Sequence, residues 1–246
     1  MTSHLARYRS GEHDAVWRDL RALELDVFNV RYREDAQAVA REMADRARWN
    51  VETLVDRLHA DGFVATRNDD EMTPRPAYFP PTDGSSALAD WMDQAFAPFP
   101  MTVAAWIRQV GDVWLVGEHP RWAGSILADP LVVEFENILD GGNARGYYQE
   151  AWNSWCANPR RQRDWPFQLD FAPDDLTKAN ISGGLPYGIA LAGSGVDGLL
   201  GSSKWFVDDL NEAFAAGGFP GALWSEGYVD PPAGLREGLA RDLLRL

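Results

Sequence analysis

Residues 171–191 read FAPDDLTKANISGGLPYGIAL, a stretch that gathers side chains able to move protons. Asp174 and Asp175 are adjacent carboxylates, Lys178 follows three residues on, and Tyr187 closes the stretch. Carboxylates beside an amine and a phenol are the material of general acid–base chemistry. Lys178 is also one of only two lysines in 246 residues. Among the four histidines, His4, His13 and His59 lie on or beside charged N-terminal segments. His119, in GEHP just past VWLVG and next to Glu118, is the one a sheet end would present as a base. On this reading the chain is a hydrolase or transferase working through Asp174, Asp175, Lys178 and Tyr187. The competing reading of the same residues is a connection between strands. Pro173 and the two aspartates then end one strand, the turn at 181–184 with Pro186 enters the next, and Lys178 pairs with one aspartate across the turn.

Other chemistries find less support. The chain has no C-x-x-C, H-x-x-x-H or H-E-x-x-H, so no transition-metal site is encoded by a motif. Asp170, Asp174 and Asp175 are the set from which a Ca²⁺ or Mg²⁺ site would be drawn, but acids cluster easily in a chain with 37 of them. The glycine-rich run ALAGSGVDGLLG at 190–201 lacks the lysine of a phosphate-binding loop and reads as a β-turn. Cys156, in SWCANP beside Trp152 and Trp155, reads as a packed thiol. No cofactor is implied. Eleven tryptophans are present, and most fall on apolar stripes that read as core. Trp122 in PRWAG and Trp165 in RDWPF lie in loops instead. With Asp170, Asp174, Asp175 and Lys178 they form the candidate partner-binding set, since Trp commonly anchors interfaces.

The elements that must position these residues fall into three segments. Residues 1–65 read as a helical hairpin. Val16, Leu20, Leu23 and Val27 recur at helical spacing behind Ser10 as cap. A second helix over 35–60 carries Ala36, Val39, Ala40, Met43, Ala47, Val51, Leu54 and Leu58 on one face, the two joined through NVRYRE. Residues 66–86, with four prolines and no periodicity, read as a linker whose Tyr78-Phe79 pair rests on a surface. Residues 87–246 read as an acidic α+β domain. Helices ALADWMDQAF, behind Ser85/Ser86, and TVAAWIRQV come first. Short strands at 113–117, 131–135, 167–171 and 187–191 follow, with ENILDGGN as a turn and YYQEAWNSW left between helix and irregular structure. The helix SSKWFVDDLNEAF and an amphipathic tail GLREGLARDLLRL complete it. The class is α+β, with a mainly antiparallel sheet flanked by helices.

Charge narrows the partners. The net charge is -14; residues 1–66 hold 10 basic against 12 acidic side chains and residues 67–246 hold 13 against 25. Such a surface repels phosphate backbones, which argues against nucleic acid, and it draws basic proteins into encounter. The bland alternative is that the charge serves solubility. No apolar run nears the roughly 20 residues of a membrane span, the start lacks the apolar core of a signal peptide, and a single cysteine fits a reducing cytoplasm.

The order of helix ALADWMDQAF, Phe99-Pro100 before TVAAWIRQV, Gly111, an apolar strand, the strand pair around FAPDD and the late helix WFVDDLNEAF resembles the SUKH superfamily over about residues 85–218. Phe99-Pro100 stands where Leu-Pro is usual, and Val110-Gly111-Asp112 where Asn-Gly-Gly is. The resemblance implies an α+β fold and a bacterial immunity protein that binds and neutralises a toxin, without catalytic residues. Three functions therefore stand open: an immunity- or antitoxin-like protein holding a basic partner on its acidic face, the enzyme described above, or a scaffold assembling as a homo-oligomer through the N-terminal helices.

Overall fold

The computed structural model describes residues 3–138, 142–181, 183–193, 195–201, 203–221 and 228–246. Trp224, Ser182 and part of the ENILDGGN turn lie outside the described residues. The chain opens with α1 (His4–Arg9), α2 (His13–Arg21), a 3-10 turn (Glu24–Phe28) and α3 (Val30–Ala60). At 1.5 Å per residue α3 is about 46 Å long. The expected joint NVRYRE is instead the start of this helix, because extended Asn29 caps it and the chain reverses in the 3-10 turn before it. Ser10 likewise closes α1, its hydroxyl donating to the Arg7 carbonyl at 2.8 Å, and Glu12 precedes α2.

After α3 come β1 (Val64–Ala65), β2 (Tyr78–Phe79), α4 (Asp83–Ala95), α5 (Met101–Gln109), β3 (Asp112–Trp114), β4 (Gly117–Glu118) and β5 (Val132–Val133). Then follow α6 (Ala144–Cys156), α7 (Pro159–Asp164), β6 (Gln168–Ala172), α8 (Asp175–Lys178), β7 (Tyr187–Ala190), β8 (Leu199–Leu200), β9 (Lys204–Trp205), α9 (Phe206–Ala215) and α10 (Leu235–Ala240). The strands form three antiparallel sheets ordered β1-β4, β2-β3-β5 and β6-β7-β8-β9. The backbone N–H of Glu134 donates to the Phe171 carbonyl at 2.8 Å and couples the second sheet to the third. The class is α+β, and YYQEAWNSW belongs to the helix α6. No helix among the described residues is long and apolar enough to cross a membrane.

Residues 66–86 differ most from expectation. The expected contact of Tyr78-Phe79 with a surface takes the form of a strand: they are β2, which pairs with β3, and Arg75 lies 4.4 Å from the centroid of the Trp114 ring while holding Glu134 at 2.6 Å. Gly111, at φ +89°, makes this possible: any side chain there would collide with the backbone carbonyl of Phe79. Thr82, with Ser85 in a capping box, starts α4, so Ser85 sits inside the first turn instead of capping it.

One core runs from Tyr8 to Leu246. The expected stripe of α3 is buried in it, joined by Ala44 and Val55. Each such Val or Leu contributes about 1.5–3 kcal/mol by leaving water. The tail helix is shorter than its pattern suggests, since after Ala240 the chain is held by side chains. Asn50, fully buried on α3, donates to the Leu244 carbonyl at 2.8 Å and accepts from the Leu244 N–H at 2.7 Å. Asn211 accepts from the Leu246 N–H at 2.9 Å. The glycine-rich run places Asp197 in the core: Arg21 meets it at 2.6 Å and the Thr102 hydroxyl donates at 2.9 Å. The Arg21 guanidinium lies 5.9 Å from the Trp17 ring and 5.0 Å from that of Trp205.

Candidate functional site

The stretch that opened the sequence reading spans β6, α8 and β7, and its residues separate into an inner brace and an outer turn. Asp174 caps α8: its carboxylate accepts from the Leu176 and Thr177 N–H groups and from the Thr177 hydroxyl at 2.6 Å. Burial alone would raise this carboxyl, but the Thr177 hydroxyl and the backbone donors, Gly184 among them, outweigh it and hold it below the usual carboxylate range. Gly183 packs directly on the cap, and a side chain there would strike the Asp174 carboxylate.

Lys178 turns inward from α8 and is 3% exposed. It does not pair with Asp174 or Asp175 across the turn. Its Nζ lies 2.6 Å from Oδ1 of Asp129 and 4.8 Å from the Tyr187 ring centroid, and the Tyr187 hydroxyl donates to Oδ2 of the same aspartate at 3.1 Å. Asp129 presents its carboxylate from a left-handed backbone conformation, φ +46°. Burial first, and then the Asp129 charge, push the Tyr187 phenol far above its ordinary value. The phenol therefore stays protonated, and the three side chains tie the loop before β5 to α8 and β7. Two clefts in the described residues lie elsewhere, one between α3, α4 and α5 and one beside α10, and neither is lined by these residues.

Asp170, on β6, accepts from the Tyr147 hydroxyl at 3.3 Å; burial raises its carboxyl, and the Tyr147 bond only partly opposes this. Asp170, Asp174 and Asp175 do not converge, and no metal-holding group of three His, Cys, Asp or Glu is found among the described residues. Trp122 is not a surface anchor: it is 2% exposed, edge-on to Phe219, with its indole N–H donating to the Val229 carbonyl at 2.6 Å. Trp165 is 70% exposed but lies before β6, at the far end of that strand from Asp174. His119 is buried, 3.7 Å from Asp61, with its Nδ1 accepting from the Arg121 N–H. Burial lowers its pKa despite Asp61, and its ring meets Asp61 and the Arg121 N–H, not the side chains of the brace. Cys156, read as packed, is exposed.

The outer turn makes a surface. The Asn180 amide donates to Asp70 at 3.4 Å, bringing the acidic loop Asp69-Asp70-Glu71 against the α8–β7 connection. From that connection Ile181 and Leu185 stand out at 48% and 88% exposure. Across residues 166–215 seven acids face two cations, Lys178 and Lys204, and both are engaged: Lys204 meets Asp209 at 2.8 Å and Glu212 at 2.6 Å. Sequence reasoning missed Asp129, Asp70 and the apolar pair. Two lysines among 37 acids did signal that each lysine would be paired, though not with which acid. Comparison with known family models, curated proteins and solved structures finds no match for this chain.

Proposed function

We propose that the protein is a binding protein of the immunity or antitoxin kind, which holds a basic protein partner against the face around the α8–β7 connection. The observation that carries this reading is the acidic turn itself. Asp70 is tied to Asn180 and Asp175 lies in the first turn of α8, so acids sit on both sides of a connection from which two aliphatic side chains protrude, and both nearby lysines are already ion-paired. Apolar anchors beside like charges suit a partner of opposite charge, which the long-range field also steers into encounter. The resemblance to the SUKH superfamily agrees with this reading. The enzyme alternative draws no support from the brace, because Lys178 and the Tyr187 hydroxyl are both committed to Asp129. The scaffold alternative is not favoured by α3, whose apolar stripe is covered within the chain.

The test is recovery of a partner from the native host, beginning with the product of the adjacent gene. A basic, stoichiometric partner is expected. Its affinity should fall about tenfold or more as the screening length shrinks from about 30 Å to about 8 Å. Asp70→Lys with Asp175→Lys, or Leu185→Asp, should weaken binding while leaving thermal unfolding unchanged. The reading fails if no such partner is recovered at low salt, or if binding ignores both salt and these substitutions.

A further inference from the structure

A cleft of about 540 Å³ opens between α3, α4 and α5 and shares no residue with the α8–β7 site. Its size falls within the range of about 300–1,000 Å³ typical of small-molecule sites. Its floor is apolar: Phe99, Met101, Ala104 and Ala105 are all buried, and the small alanines of α5 leave the space open. Its α3 wall carries Arg33, Gln37 and Arg41 at intervals of four residues, so all three project on one side of the helix over about 12 Å.

Within the cleft the charges do not balance. Arg108 is held by Asp90 at 2.8 Å, but Arg33 and Arg41 have no ion pair among the described residues. Asp93 is the remaining unpaired carboxylate of the lining, which leaves one positive charge in excess. The amide oxygen of Gln109, also in the lining, is buried without a hydrogen-bond donor among the described residues. We infer that this cleft is a binding site for a small anionic molecule with an apolar body. The guanidiniums of Arg33 and Arg41 take the phosphate or carboxylate head, Gln37 between them donates its amide, and the body lies on the alanine floor. A hydroxyl or amine on the ligand would satisfy Gln109. A guanidinium pair over an apolar floor selects against cationic and neutral molecules of the same size.

Calorimetric titration of the full chain with octyl phosphate, octanoate, octyl glucoside and octyltrimethylammonium tests this. One anionic amphiphile or both should bind at one site per chain, the tighter of the two naming the head group, and the neutral and cationic ones at least about tenfold more weakly. Arg33→Gln and Arg41→Gln should each weaken the anion by about tenfold. Both positions are exposed, so thermal unfolding should not move. Equal binding of all four amphiphiles, binding unaffected by either arginine substitution, inorganic phosphate binding as tightly as octyl phosphate, or no binding at all would overturn the assignment.

Discussion

Removing the Lys178 ammonium while keeping Asp129 would strand a largely buried carboxylate with the Tyr187 hydroxyl as its one partner among the described residues. Lys178→Met should therefore cost about 3 kcal/mol in urea unfolding, and adding Asp129→Asn should recover part of it. A cost below about 1 kcal/mol would mean that water reaches the pair. Asp197 gives a second, pH-dependent expectation. Burial, only partly offset by Arg21 and Thr102, raises its carboxyl to about 6, above the ordinary value of 3.8. Folding thus favours its protonated form, so the stabilisation is full below pH 4 and disappears as pH rises towards about 6. The stability advantage of the natural chain over Asp197→Asn should narrow across that window, and a gap that widens instead would contradict the assigned shift. Neither pairing was readable from spacing, because Asp129 lies 49 residues from Lys178 and Asp197 lies 176 from Arg21. An ion pair needs only proximity in space.

Elements with long periods were readable. The apolar positions of α3 recur over its whole length, and β6 with β7 followed from two β-rich runs around a turn. Boundaries and short strands were not. Most strands outside β6 and β7 have two residues, too few for alternation to show, and β2 exists because β3 and Gly111 accommodate it. The tail after α10 carries a helical pattern yet leaves the helix through a turn at residues 241–242 and is held by asparagines from distant elements. Asn50→Leu should cost about 1–3 kcal/mol, since it leaves the Leu244 N–H and carbonyl without their buried partner. Hydrogen exchange should then quicken at residues 241–246 before it changes in α3. Uniform quickening throughout would show that the tail is not separately latched.

At the scale of the whole molecule, composition foretold an acidic protein and the order of elements an α+β class, while the sorting of charge needed the fold. The described residues of 166–215 offer no free cation, whereas α7 exposes Arg160, Arg161 and Arg163 and the α3 wall exposes Arg33 and Arg41. The acidic turn was visible as a stretch, but two of its acidic members, Asp70 and Glu71, come from the segment read as a linker. The state of the two lysines also governs how the complex can be trapped. Lys178 is buried against Asp129 and Lys204 is held by two carboxylates, so amine-directed reagents would find little to react with on this face. Carbodiimide activation works from the other side: it would convert Asp70, Glu71 and Asp175 into acylating groups and join them to the lysines of a basic partner, marking the contact residue by residue in a mass spectrum.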